Sequence, residues 1–218
     1  MIDAEALDPS SPHPAAVDTT EIEWVSRDGS LAAFVQLSVR PVDGCSWFVV
    51  VVRRPEVPPM VIVDWDLPLV TQAFEFRGSG IWADLVCETP IEHWTIGLEA
   101  FGLVVDPEEV LTAELFGQPI PLGFDLDVES QSAPDLFDSG FAYHARVTGD
   151  LLVGDERIEF DAQGVRRRWW GSFEPAREPC PQDLPVQGQV SVAWPGRAQP
   201  EVRGWVLGVR PGWVTLSR

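Results

Sequence analysis

The sequence predicts an all-β fold, either a barrel or two barrel-like halves packed together. Three observations predict it. Gly and Pro interrupt the chain at short intervals, 18 and 20 times in 218 residues, and separate about a dozen runs of strand length. Most of those runs alternate apolar and polar residues, the period of a half-buried strand. The longest apolar run, Trp47-Phe48-Val49-Val50-Val51-Val52, is bounded by Gly44 and by Arg53-Arg54-Pro55. That is far short of the ~18 residues of a spanning helix.

The elements follow in order. Residues 1–20 are rich in Pro, Ser, Asp and Ala and read as a flexible arm. Strands are expected at 23–27 and 31–40 around the turn Asp28-Gly29, then at 46–53 after a turn at 41–44. Further strands fit 59–64, 73–77, 81–88 and 93–105. The stretch 106–115 is the one helix candidate: Asp106 can cap, Pro107 suits the first helical position, and Glu108-Glu109 suit the first turn. A strand at 121–129 precedes a loop at 131–139. Strands at 141–150 and 156–161 flank the hairpin turn Val153-Gly154-Asp155, and another covers 165–172. The stretch 177–185 is irregular, and the tail offers strands at 187–194, 202–209 and 213–217. A division at 105/106 gives a barrel-like unit over 21–105 and another over 106–218.

Composition bounds the chemistry. Hydrophobic residues make up 45% of the chain, enough for a sizeable core. The formal net charge is -19, so nucleic-acid phosphates and anionic lipid surfaces are repelled at long range. A neutral or cationic small ligand suits that field. Every one of the 15 basic residues is Arg, so lysine Schiff-base and phosphate-loop chemistry are excluded. Cys45, Cys87 and Cys180 are odd in number and unclustered, which argues for reduced thiols rather than a disulfide scaffold or a zinc knuckle. With no basic and apolar leader at the N-terminus, a cytoplasmic protein without a membrane span is expected. No glycine-rich loop fits a dinucleotide, no ligand spacing fits a metal, and no cofactor is expected.

Candidate site residues come from alternation. In 81–88, Trp82, Asp84, Val86 and Glu88 share a face, opposite the apolar Ile81, Ala83, Leu85 and Cys87. One reading of the first face is a solvated surface. The other is a barrel interior in which an indole-lined pocket raises a carboxyl pKa and makes it an acid at neutral pH. Asp84 is then the acid, or Glu99 if Asp84 faces water. Trp82, Trp94 and Trp170 supply walls, and indole faces also attract developing cations. His93 and His144 either pack at the surface or join Glu99 or Tyr143 in acid–base work; Tyr143 or His144 is the candidate to position substrate or take up a proton.

The run Gly164-Val165-Arg166-Arg167-Arg168-Trp169-Trp170-Gly171 is unusual in so acidic a chain. As a strand it places cation and indole on both faces, and each guanidinium then needs a carboxylate or a ring plane. Arg166 is expected to pair with a strand carboxylate or to contact substrate. Gly164, Arg166, Trp170 and Gly171 match the Gly-x-Arg-Asp-His-Ser-Trp-Gly pattern of the AttH-like, carotenoid 1,2-hydratase-like group of calycin-related proteins. The hairpin 146–158 and the strands at 80–90, 92–101 and 121–126 also resemble a bacterial branch of that group. The resemblance covers roughly 24–171. It implies lipocalin-like barrel units and lipophilic substrates, since relatives hydrate carotenoid ends, cyclise terpenoid chains or template pericyclic ring closures. Arg167, Arg168 and Trp169 stand where the pattern has Asp, His and Ser. If that Asp or His gives the proton in relatives, this chain uses another acid or has lost the step.

These readings lead to a cofactor-independent enzyme that cyclises, isomerises or hydrates an apolar unsaturated molecule in an aromatic-lined barrel cavity. The alternative is a non-catalytic lipocalin-like binder of a lipophilic ligand. A third reading is a barrel whose tryptophans simply pack. A homodimer is left open.

Overall fold

The computed structural model describes residues 3–112, 114–171, 188–206 and 212–215. A four-residue helix, α1 (Ala4–Leu7), comes first. The large sheet contains β1 (Asp18–Ser26), β2 (Ala32–Arg40), β3 (Cys45–Arg54), β4 (Val57–Pro68), β5 (Phe74–Gly78), β6 (Ile81–Thr89) and β7 (His93–Val104). After β8 (Val110–Leu111) it continues with β9 (Gln118–Ser130), β10 (Asp135–Phe137), β11 (Gly140–Val153) and β12 (Glu156–Trp170). A second, four-stranded sheet joins β8 to β13 (Gly188–Val192), β14 (Glu201–Val206) and β15 (Gly212–Thr215).

Eight antiparallel strands close a barrel in the order β12-β1-β2-β3-β4-β7-β9-β11 and back to β12. Closure removes the unpaired edges that an open sheet would expose. Strands from both sides of the expected 105/106 boundary make this one ring. The joint between β4 and β7 is short, Met60 opposite Val104 and Val61 opposite Leu103. Along the rest of that edge β7 pairs instead with β6, from Ile81 opposite Ala100 to Thr89 opposite His93. The β5–β6 hairpin therefore continues the wall where β4 departs.

The apolar faces meet in two cores. Trp24, Leu37, Phe48, Val50, Phe76, Leu85, Trp94, Ile96, Phe124 and Val147 fill the barrel. Phe34, Val49, Val51 and Val61, on the outer face, pack against Leu111, Val190, Val192, Trp194 and Trp205 of the second sheet. This explains why β1 is buried at every position while β7 alternates buried and accessible residues: a strand covered on both sides has no solvent-facing side, and the acids of β1 are buried against arginines. Gly164 lies opposite Trp24, and a Cβ there would come within 2.2 Å of the Glu23 carbonyl oxygen. Glycine lets β12 close on β1 while the indole turns inward.

Several local expectations change. The helix candidate at 106–115 is a turn followed by β8. Asp106 accepts from the Glu108 backbone N–H, as a cap would, but Val110 and Leu111 pair with Ser191 and Val192, and Leu111 is buried in the second core. Tertiary burial overrides the local helix signal. The loop at 131–139 contains the short strand β10, and the strands expected at 156–161 and 165–172 are one continuous β12. The arm read as flexible packs against the barrel: Asp8 is fully buried. Cys180 and the stretch 177–185 lie outside the described residues, and Cys45 and Cys87 are free thiols. Among the described residues no helix is long and apolar enough to cross a membrane.

Candidate functional site

In β12 the even-numbered residues point into the barrel, so Arg166 and Arg168 enter it near its end and are 1% and 0% exposed. Two buried cations on one strand need anions. The nearest strand acid on the inner face is Asp18 of β1, which accepts from Arg168 Nη2 at 2.8 Å and from Nε at 3.2 Å. The other is Asp8, from the arm. Arg166 Nη1 and Nη2 each donate to it at 2.9 Å as a planar fork. Arg168 Nη1 donates at 3.2 Å, Trp94 Nε1 at 2.8 Å and the Ile91 backbone N–H at 2.9 Å. Ring faces complete the wall: the Arg166 guanidinium lies 4.3 Å from the Trp94 ring centre, and Arg168 4.9 Å from Phe74.

Burial alone would raise the Asp8 carboxyl, but Arg166, Arg168 and the Ile91 N–H together hold it below its ordinary value. Burial likewise opposes the charge on Arg166, and Asp8 and Tyr143 more than offset it, so its pKa lies above the usual arginine value. Burial raises Tyr143, whose hydroxyl sits 3.4 Å from Arg166 Nη1. Burial, with the Asp8 carboxylate nearby, pushes the Cys87 thiol up to about 11. His13 stacks on Trp170 at 4.3 Å, and burial lowers its pKa. The mouth of the barrel is thus a closed, ionised cluster.

Arg167 points the other way. Its Nη1 donates to Glu23 at 2.6 Å and to Glu21 at 3.3 Å, and Arg203 of β14 reaches the same Glu21 at 3.1 Å. This outer pair of arginines joins the barrel to the second sheet.

A second region lies on the bare outer face. Neighbouring strands put Trp82, Glu99, Gly123, Leu152 and Arg157 in one register row. Gly123 forms the floor, because a Cβ there would come within 2.8 Å of the Leu98 carbonyl oxygen. The result is a groove of about 720 Å³ whose rim includes Trp82, Phe101, Leu152, Glu99, Asp125 and Asp150. The Trp82 indole N–H donates to Glu75 at 3.3 Å, and Arg157 pairs with Asp150. Phe101 is 68% exposed.

The sequence candidates divide between these regions. Tyr143, Trp94, Arg166 and Trp170 meet at the mouth, and Trp82 and Glu99 meet in the groove. Asp84 lies on the outer face in the adjacent row, its carboxylate over Gly97, and Glu99 is exposed; neither enters the barrel, because Ile81, Ala83 and Leu85 take the inner face. Arg166 pairs with an arm carboxylate rather than a strand one. His93 bonds Asp127 at 2.9 Å on the outer face. His144 is exposed, on the opposite face from its neighbour Tyr143. Sequence reasoning missed Asp8 and Asp18. The available signal was the pair of inward arginines, which needed acids that β12 itself does not supply. It also missed Phe101, Asp125, Asp150 and Arg157. Among the described residues no three His, Cys, Asp or Glu side chains come together as metal ligands.

The fold is an all-β, eight-stranded closed antiparallel barrel with a second, four-stranded sheet on its outer face. No family model matches the chain, and no curated protein sequence does. Among solved structures the chain is similar to an AttH-like protein of Nitrosomonas europaea, at 10% identity and a TM-score of 0.46, covering 94% of this chain and 66% of that one. It is also similar to CghA, at 11% identity and a TM-score of 0.39 over 94% and 89% of the two chains. For CghA with Sch210972 the figures are 10% and 0.39, over 72% and 46%. The chain spans about half the length of the last of these and about two thirds of the AttH-like protein.

Proposed function

We propose that this protein binds a neutral or cationic lipophilic small molecule, and that the outer groove is where it does so. The observation that carries the reading is the groove itself: about 720 Å³, within the ~300–1,000 Å³ of ordinary ligand pockets, with Trp82, Phe101 and Leu152 beside Glu99 and Asp125. Indole and phenyl surfaces suit an apolar chain, and ring faces with carboxylates suit a cationic head. The binding reading is favoured over the proton-donor enzyme. Protonation chemistry needs a carboxyl shielded from water, and Asp84 and Glu99 both lie on the outer face, while Asp8 is held below its ordinary value by Arg166 and Arg168 and Asp18 is already paired with Arg168.

The test is a tryptophan-fluorescence titration with farnesol, its trimethylammonium analogue and farnesoate. Saturable quenching is expected for the first two and little for the anion. Trp82→Ala should weaken binding by about tenfold, the loss of ~1.4 kcal/mol. Equal affinity for all three probes, or binding indifferent to Trp82→Ala, would overturn the reading.

A further inference from the structure

The Asp8 carboxylate is held the way a bound ligand is held. Its five hydrogen bonds come from Arg166, Arg168, Trp94 and Ile91, all of them barrel residues and none of them in the arm. The arm's other contacts include the His13 backbone N–H, which donates to Asp18 at 2.6 Å. No residue of α1 is buried. Leu7 packs against the edge of the barrel core, His13 stacks on Trp170, and the carbonyls of Pro9 and Ser11 accept from Arg168. The arm therefore offers the barrel an apolar stem, Leu7, and a carboxylate, Asp8, side by side.

We propose that the barrel mouth is a carboxylate-binding site, that Leu7 and Asp8 are its resident occupant, and that a small acid on a short apolar stem can exchange with them. The donor set selects the ligand. Arg166 and Arg168 carry two positive charges and Asp18 neutralises one, so the site takes a monoanion. The Arg166 fork and the Trp94 and Ile91 N–H groups fit a planar carboxylate. The stem is short because the fully buried Trp94, Phe74 and Phe141 side chains occupy the space beyond. When the arm leaves, Arg166 keeps only the Tyr143 hydroxyl among its hydrogen-bond partners, which makes the open mouth a strong anion receptor. Because the arm competes, the apparent affinity of the wild-type chain is reduced by the fraction of molecules in which the mouth is open. This site shares no residue with the outer groove and does not rest on it.

The experiment uses the full chain with hexanoate as the probe and hexanol as the uncharged control. In Asp8→Ala, hexanoate is expected to raise the melting temperature and to bind at least about tenfold more tightly than in the wild type, and hexanol to do neither. In the wild type, millimolar hexanoate should shift the His13 ring resonances as the arm is displaced. Trp82→Ala should leave hexanoate binding unchanged, which separates this site from the groove. Should Asp8→Ala not fold, Asp8→Asn and the wild-type His13 resonances decide the matter. The proposal is overturned if hexanoate and hexanol act alike on a folded Asp8 variant, or if the wild-type His13 resonances do not respond.

Discussion

The mouth and the groove are built from the same residue types, arginine, carboxylate and tryptophan, and behave oppositely. At the mouth Arg166, Arg168, Asp8 and Asp18 are all essentially inaccessible. In the groove Arg157 and Asp150 are 68% and 28% exposed. A charge removed from water must be answered by a partner at hydrogen-bond distance, whereas a charge left in water needs none. The first arrangement fixes structure and the second leaves a surface free to bind. The difference lies in which face of the strand each residue occupies.

The comparison is broken most directly by Asp8→Ala. Removing one partner of a buried pair should cost about 3–5 kcal/mol in urea unfolding; a loss under ~1 kcal/mol would place the mouth with the surface pairs. The double variant Asp8→Leu/Arg166→Met sharpens the point. With both charges gone it should recover at least ~1 kcal/mol over Asp8→Ala, because an apolar pair needs no ionic partner.

Acid should separate the two regions next. The Asp8 pKa is depressed in the folded chain, so its contribution is complete above roughly pH 4 and is lost as the pH falls through the folded value. His13 is also depressed, by burial. The unfolded chain then binds the extra proton below about pH 6.5, and stability declines as the pH drops past that point. Urea midpoints followed from pH 7 to pH 3 should show a shallow decline and then a steep one. His13→Gln should remove the shallow part, and Asp8→Asn the steep part. The smallest effect is expected at Arg157→Ala, which should leave the urea midpoint unchanged because solvent already screens its pair with Asp150.

Much of the barrel was legible because its signal is local. Alternation in β7 sets Trp94, Ile96 and Leu98 on one face, which the barrel core buries, and in β6 it puts Trp82 and Asp84 on one face. It could not say which face turns inward. An indole beside two acids suggests a pocket, but here Ala83 and Leu85 fill the interior and Trp82 lies outside. The helix candidate failed because its cap, Asp106, is a local signal while the burial of Leu111 is not. Asp8 was illegible for the same reason: its Arg166 partner is 158 residues away, and nothing in a Pro- and Ser-rich stretch marks one carboxylate for burial.

Three consecutive arginines could serve β12 equally well in two alignments, since a one-residue slip would still point guanidinium both ways. The distribution of acids forbids it. Inside stand Asp8 and Asp18 for Arg166 and Arg168; outside stand Glu21, Glu23 and Glu201 for Arg167 and Arg203. A slipped strand would set two interior carboxylates against one guanidinium, leaving a buried carboxylate without its cation. The unequal tally works as a proofreading device, and it rejects the wrong alignment at the strand that closes the ring.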